Sequence, residues 1–316
     1  MSHLDYLRCL AFNHKSLTVG ILAAFALILA LPVSAQTEQN SPWRFNIDGG
    51  GAHKSEADLE DGDGTVSTDR WFFTAGVDYG FDRRTSLGVS IGGGRSIYHF
   101  NEDDLLEDER PWDTIEDKRI TMTYRFGLGQ TGSMFIVPSV RYDGEKGASS
   151  SDSQTWGVFA AAAWRLREGL TIGPGVGVFS RLESGTRFFP ILAIDWDISE
   201  RWNLSTGRGL ASSQGPGLTL LYTLNDDWAF GLSGRYENQE FRLDNKGIAA
   251  GGIGKDQSLP MIFTAVLTPN ERISFSVFAG AEFGGTLKLK DADNEVVAES
   301  DYDTAAIFGA TFQFKF

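Results

Sequence analysis

The 316-residue chain has one cysteine, four histidines and no long apolar segment beyond its N-terminus. Because Cys9 lies in a segment that we expect to be removed, the rest of the chain could form neither a disulfide nor a thiolate metal site. There are 42 acidic and 28 basic residues, giving a net charge of −14, which argues against a nucleic-acid-binding surface. No stretch after residue 35 approaches the about 20 apolar residues of a membrane helix.

The first 35 residues have the pattern of a secretory signal peptide. Arg8 and Lys15 precede an apolar run at residues 17–31, and small residues lead to a cleavage point after Ala35. A retained membrane anchor is the alternative, but the run is shorter than the about 20 residues that it would need. We therefore expect a signal peptide at 1–35, a short N-terminal lead at 36–42 and one folded domain at 43–316.

From Trp43 onward, apolar residues alternate with small or polar ones in segments of roughly ten residues, as in the strands of membrane barrels. In the clearest segment, Trp71, Phe73 and Val77 share one face, and Thr74 lies on the other. Fourteen such segments, or twelve as the alternative, are joined by connections that are alternately tight and longer. Because only a closed sheet satisfies every strand backbone group in lipid, the pattern predicts an all-β, antiparallel, up-and-down transmembrane barrel.

The C-terminal segment places Phe312, Phe314 and Phe316 on one face and ends on the last of these rings. It resembles the closing strand of Gram-negative outer-membrane proteins, and the chain is similar in size and pattern to the monomeric fourteen-stranded porins. The resemblance implies that these three residues form the signal read by the barrel-assembly machinery. It also implies a bacterial outer-membrane location, with outer-membrane lipids and lipopolysaccharide as partners; it leaves the oligomeric state open and carries no specific transport activity.

By parity, the inward face carries charges of both signs among glycines, serines and threonines. Such a face suits a wet lumen, although the charges could instead pair and seal the barrel. One sector is apolar, which would suit either a greasy ligand or local packing: Phe135, Phe159, Phe179, Phe189 and Ile191. The charged residues expected to line the lumen are Arg44, Asp48, Asp78, Arg125, Arg141, Asp195, Arg235, Glu237 and Glu282.

Two predicted outer loops are strongly acidic. Carboxylates at this density could hold divalent cations, but no complete calcium-binding loop is present, so we expect solvated loops that concentrate cations at the mouth at low salt. The sequence also contains no motif for a cofactor. The acidic residues are Glu60, Asp61, Asp63, Asp103, Asp104, Glu107, Asp108 and Glu109.

His53 and Ser55 form a His-x-Ser pair like that of outer-membrane phospholipase and lipid A deacylase barrels. Residues two apart on a strand share a face, so a base could reach a nucleophile, and Glu56 or Asp58 could orient the base. The tripeptide is nevertheless common, so no catalytic residue is assigned. The expected function is a passive channel for small hydrophilic solutes. The alternatives are a closed structural or surface-binding barrel and a lipid hydrolase.

Three consecutive glycines interrupt the alternation of the third predicted strand. Ile91 precedes them and Tyr98 follows them, and both are expected to point outward although their separation is odd. A β-bulge within residues 92–94 is the predicted reason.

Overall fold

The structure, a computed structural model, describes residues 41–60, 64–101, 110–183, 185–206 and 217–316. Within these ranges, no helix is long and apolar enough to cross a membrane. The strands are β1 (Trp43–Asp58), β2 (Thr65–Gly80), β3 (Ser86–Asn101), β4 (Thr114–Leu128), β5 (Gly132–Glu145), β6 (Gln154–Arg167), β7 (Leu170–Ser180), β8 (Thr186–Asp197), β9 (Trp202–Thr206), β10 (Gly217–Thr223), β11 (Trp228–Arg235), β12 (Glu237–Arg242), β13 (Ile253–Asn270), β14 (Ile273–Lys290), β15 (Val296–Tyr302) and β16 (Ala305–Lys315).

Fourteen strands form a closed antiparallel ring. Neighbours in the chain pair with each other, and β1 closes the ring against β16 through nine paired positions. β12 continues β11 along the same partner, β13, and β15 is an added strand paired with the outer half of β14. The prediction of a fourteen-stranded barrel is confirmed, and the twelve-stranded alternative is wrong.

The six tight connections, at 81–85, 129–131, 168–169, 198–201, 224–227 and 271–272, all lie at one end of the ring. We call this the turn end and the opposite one the loop end. Barrels of the outer membrane place short turns on the periplasmic side and longer loops outside. The paired termini, Phe45 with Phe316, also lie at the turn end.

The outer surface carries a belt of exposed apolar side chains. Trp43, Trp164, Trp202 and Trp228 mark its turn end, and Trp71 and Trp156 mark its other edge. Beyond that edge the outward residues become polar, as Asp69 and Lys118 show. Aromatic girdles that flank an apolar band are typical of transmembrane barrels. Because β1 to β4, β13 and β14 continue past the belt, they build a folded region at the loop end.

The predicted β-bulge at residues 92–94 is wrong. β3 pairs without a register shift with both β2 and β4, and Tyr98 points into the barrel with only 2% of its surface exposed. The glycines have a different role, because a Cβ at Gly92 would lie 2.9 Å from Nε of Arg119. Because glycine has no Cβ, the Arg119 side chain has room to lie beside Gly92 and to donate a hydrogen bond to Thr74.

Candidate functional site: the lumen and its outer closure

The lumen contains a cavity of 1470 Å³. This exceeds the about 300–1,000 Å³ of pockets for drug-sized ligands. Asp48 is the one carboxylate among its described lining residues, whereas three arginines face it: Arg119, Arg141 and Arg235.

Two of the three arginines are held by carboxylates that lie toward the loop end. Arg119 and Arg141 occupy directly opposed positions on β4 and β5. Arg141 donates to Asp143 at 3.0 Å, and Arg235 pairs with Glu237. Because Asp143 and Glu237 are buried while the arginines reach the cavity, the cavity surface itself is cationic at this level.

Stacked aromatic rings form the wall next to these arginines. Phe135 and Phe159 have ring centroids 5.3 Å apart, and Phe179 and Phe189 stack at 5.3 Å with planes only 10° apart. Phe179 lies over Gly157, where any Cβ would overlap the ring. Phe189 lies over Gly177 in the same way, so the opposing glycines give these two rings fixed places and this part of the wall is preformed.

Toward the loop end, a buried ionic network closes one sector of the lumen. Nζ of Lys54 lies 3.9 Å from Asp256 and 3.7 Å from Glu282, and its charge lies 4.1 Å from the centre of the Tyr302 ring. Arg70 contacts Asp256 at 3.0 Å. Arg70 also binds Glu237 at 3.0 Å, so three cations face three carboxylates when Arg235 is included. Opposite charges that are paired in this way offset much of the cost of burying them.

Two tyrosines complete the network. The hydroxyl of Tyr98 donates to Asp256 at 2.8 Å, and that of Tyr302 donates to the same carboxylate at 3.0 Å. Each ring belongs at the same time to an apolar cluster on the loop side of the ions, so the tyrosines join the two layers.

The apolar cluster forms a cap above the network. Edge-to-face contacts fix its centre, with the Trp112 ring 5.1 Å from Phe241 and 5.7 Å from Tyr98. Strands β1 to β4 and the residues next to them contribute one side, and β12, β14, β15, β16 and the β12–β13 connection contribute the other. This cap is formed by Ala57, Leu59, Val66, Tyr98, Phe100, Trp112, Ile115, Phe241, Leu243, Ala249, Leu287, Leu289, Tyr302 and Ala305.

β12 reaches across the barrel to β5, where Arg242 pairs with Gly144. The Arg242 guanidinium donates to three loop carbonyls, those of Asp152, Leu182 and Gly251, at 2.8–3.1 Å. One side chain thus ties the loops of β5–β6, β7–β8 and β12–β13 together at the loop end.

A smaller pocket of 270 Å³ lies beside β12, outside the capped sector. Phe179, Phe189 and Tyr236 line both this pocket and the main cavity, so the two spaces are neighbours. Its rim is charged, with Arg187 bound to Glu240 at 2.9 Å.

A second ionic cluster lies in the loop between β7 and β8. Burial alone would raise the pKa of Glu183, but hydrogen bonds from Lys255 and Lys290, each at 2.8 Å, together with nearby Arg181, outweigh it and lower the pKa to about 2. The loop is therefore held to β13 and β14 by an ionised carboxylate over the usual pH range.

The sequence matches no protein-family model and no curated protein. Solved structures with a similar fold include an outer membrane channel from Pseudomonas putida F1, with 9% identity, a TM-score of 0.48 and coverage of 87% of this chain and 96% of that one. A FadL homologue from Pseudomonas aeruginosa has 13% identity, a TM-score of 0.45 and coverage of 88% and 92%. For the NanC porin the values are 10%, 0.41, 85% and 100%. At these identities the similarity concerns the fold alone.

The protein is an outer-membrane β-barrel. The closed ring and its exposed apolar belt decide this, because a soluble sheet would not present aromatic and aliphatic residues to water around its whole circumference.

Within this outer-membrane barrel, the residues predicted for the lumen lie at three levels. Asp48, Arg141 and Arg235 line the main cavity, and Glu237 and Glu282 belong to the closing network. The remaining residues lie nearer the turn end, where Arg44 pairs in register with Asp78, Asp195 accepts a hydrogen bond from Asn203, and Arg125 pairs in register with Phe135.

The sequence alone did not indicate the residues at the centre of the buried ionic network. Lys54 lies just after the first predicted strand, at 43–53, and Asp256 lies just before the one predicted at 259–268. Arg70 is the first residue of the strand predicted at 70–81 but was not proposed for the lumen. Alternation continued from Asp48 would have placed Lys54 on the inner face, and the same rule applied back from Thr74 would have placed Arg70 there.

The His-x-Ser pair lies on the outer surface, past the apolar belt. Nδ1 of His53 is 2.7 Å from Asp69, so its partner is neither Glu56 nor Asp58. The hydroxyl of Ser55 accepts the N–H of Ala306 at 3.0 Å. His53 contacts β2 and Ser55 contacts β16, so we assign the pair no catalytic step.

The predicted acidic loops lie mostly outside the described residues. Glu60 is described and exposed, whereas the residues at 61, 63, 103, 104 and 107–109 lie outside the described ranges. Among the described residues, no three His, Cys, Asp or Glu side chains are grouped to hold a metal ion.

The proposed assembly residues lie on the closing strand. The Phe312 and Phe314 rings are 5.5 Å apart, and Phe314 also contacts Phe275 on β14. Phe316 exchanges two backbone hydrogen bonds with Phe45, so the last residue forms part of the seam that closes the ring.

Proposed function

We propose that this barrel is a passive channel for small hydrophilic solutes. The observation that carries the proposal is the 1470 Å³ luminal cavity, which the strands enclose below the capped sector. The smaller pocket beside β12 extends this space toward the loop end and supports a route that passes the cap.

A closed structural barrel is the second candidate. It is favoured by the cap and the ionic network, since both bury side chains across part of the lumen. The two candidates differ in whether the cavity communicates with both ends.

Cysteine accessibility in planar bilayers distinguishes them. In a background with Cys9→Ser, a Ser139→Cys variant places a thiol on the cavity wall. If the channel proposal is correct, a charged methanethiosulfonate reagent added to the bath should change the single-channel conductance.

The matched control is Val140→Cys, the next residue on the same strand, whose side chain points to the opposite face. Modification of this variant should leave conductance unchanged. An insulating wild-type barrel, or equal responses of the two thiols, would contradict the channel proposal and favour the closed barrel.

A further inference from the structure

We propose that the luminal cavity contains a binding site for small amphipathic carboxylates, with aromatic monocarboxylates as the best-fitting class. The inference rests on the proposed function, because the channel supplies the ligand's route to the lumen. The inference adds to that function the class of solute that should bind in the cavity.

The first step is the charge of the cavity surface. Arg119 and Arg141 reach it from one wall and Arg235 from another, while Asp48 is the one carboxylate on the described lining. The acidic partner of Arg141, Asp143, is only 2% exposed. Asp117, two residues from Arg119 on β4, is only half-buried but is not part of the cavity lining. An incoming carboxylate therefore meets guanidinium groups at the cavity surface, and guanidinium is the side chain that best matches a carboxylate.

The second step is the position of the rings. Phe179 lies over Gly157, which pairs with Ser139 on β5. Arg141 is the next inward residue of that strand. The stack of Phe179 on Phe189 is thus beside a guanidinium, within the reach of one small molecule that has an apolar body and one charged end.

Other ligand classes use only half of this surface. A hydrocarbon without charge would displace water from the arginines without replacing their interactions, which costs free energy. Acetate would meet the arginines but leave the rings in water. A ligand with an apolar body and a carboxylate interacts favourably with both the rings and the arginines. The rings that pack on glycines need no rearrangement to bind it.

Benzoate block in planar bilayers tests the site. We expect benzoate to interrupt the wild-type current at concentrations at least about tenfold lower than acetate or benzyl alcohol, since a tenfold ratio needs only about 1.4 kcal/mol from the second wall. Recording at 1 M salt shortens the Debye length to about 3 Å, so the charge of the acidic loops cannot cause the difference between these compounds.

Two variants divide the effect between the walls. Phe179→Ala should weaken benzoate block about tenfold and leave acetate unchanged, whereas the lipid-facing Phe263→Ala should change neither. Arg141→Gln combined with Asp143→Asn keeps the local charge balanced and should remove the preference for benzoate over benzyl alcohol.

Titration calorimetry of the detergent-solubilised barrel separates failure of the site from failure of the channel. Benzoate binding that depends on Phe179 and Arg141, in a barrel that does not conduct, would overturn the channel and keep the site. A conducting barrel that shows neither block nor binding heat, or in which Phe263→Ala acts like Phe179→Ala, would overturn the site.

Discussion

Replacement of Lys54 by methionine should destabilise the barrel strongly. Only 2% of Lys54 is exposed, and its Nζ lies 3.7 Å from Glu282 and 3.9 Å from Asp256. At an effective dielectric constant of about 20, one charge pair at 4 Å is worth roughly 4 kcal/mol. The variant loses two such pairs but no longer buries an ammonium group, so we expect a net cost of about 3–5 kcal/mol, as for other broken buried pairs.

A charge-balancing second change should reverse most of this loss. Lys54→Met leaves two arginines facing three carboxylates, and adding Glu282→Gln restores equal numbers. The control is Lys118→Met, because Lys118 has a similar ion pair, 3.6 Å from Glu116, but is 72% exposed. Its loss should cost only about 0–1 kcal/mol.

The assay is denaturant unfolding of the barrel refolded in detergent micelles, followed by tryptophan fluorescence. A free energy of unfolding for Lys54→Met within about 1 kcal/mol of both wild type and Lys118→Met would refute the reasoning. So would a double variant that is less stable than Lys54→Met alone.

Three further predictions concern the closing strand, the register and the outer ionic cluster. Phe316→Asp should lower the amount of assembled barrel in the outer membrane; unchanged levels in heat-modifiability gels would count against its role in assembly. Ile91→Arg, on the lipid face, should cost about 2–4 kcal/mol of unfolding free energy, and Ser90→Arg, on the cavity face, far less; equal costs would mean that the register is wrong. Glu183 has a folded pKa of about 2 against the usual 4.5, so its stabilisation is complete above pH 4.5 and is lost as the pH falls toward 2. The stability difference between wild type and Glu183→Gln, measured by unfolding at several pH values, should shrink over that window, and a constant difference would contradict it.

The sequence by itself predicted the strands, the tight turns and the membrane-facing side. These features depend on local chemistry: a strand in lipid needs an apolar side chain at every second position, and a tight turn needs only a few residues. For this reason the alternation seen around Trp71, repeated between alternately tight and longer connections, indicated fourteen strands.

Only the tertiary structure showed how one sector of the lumen is closed. Lys54, Arg70, Asp256 and Glu282 come from four strands, and their meeting depends on which residues face each other across the ring. That depends on the number and stagger of all the strands together. The glycines before Tyr98 show the same limit, because a local rule predicted a bulge there. At Gly92 the physical reason is the Arg119 side chain of the neighbouring strand, which needs the space that a Cβ would fill.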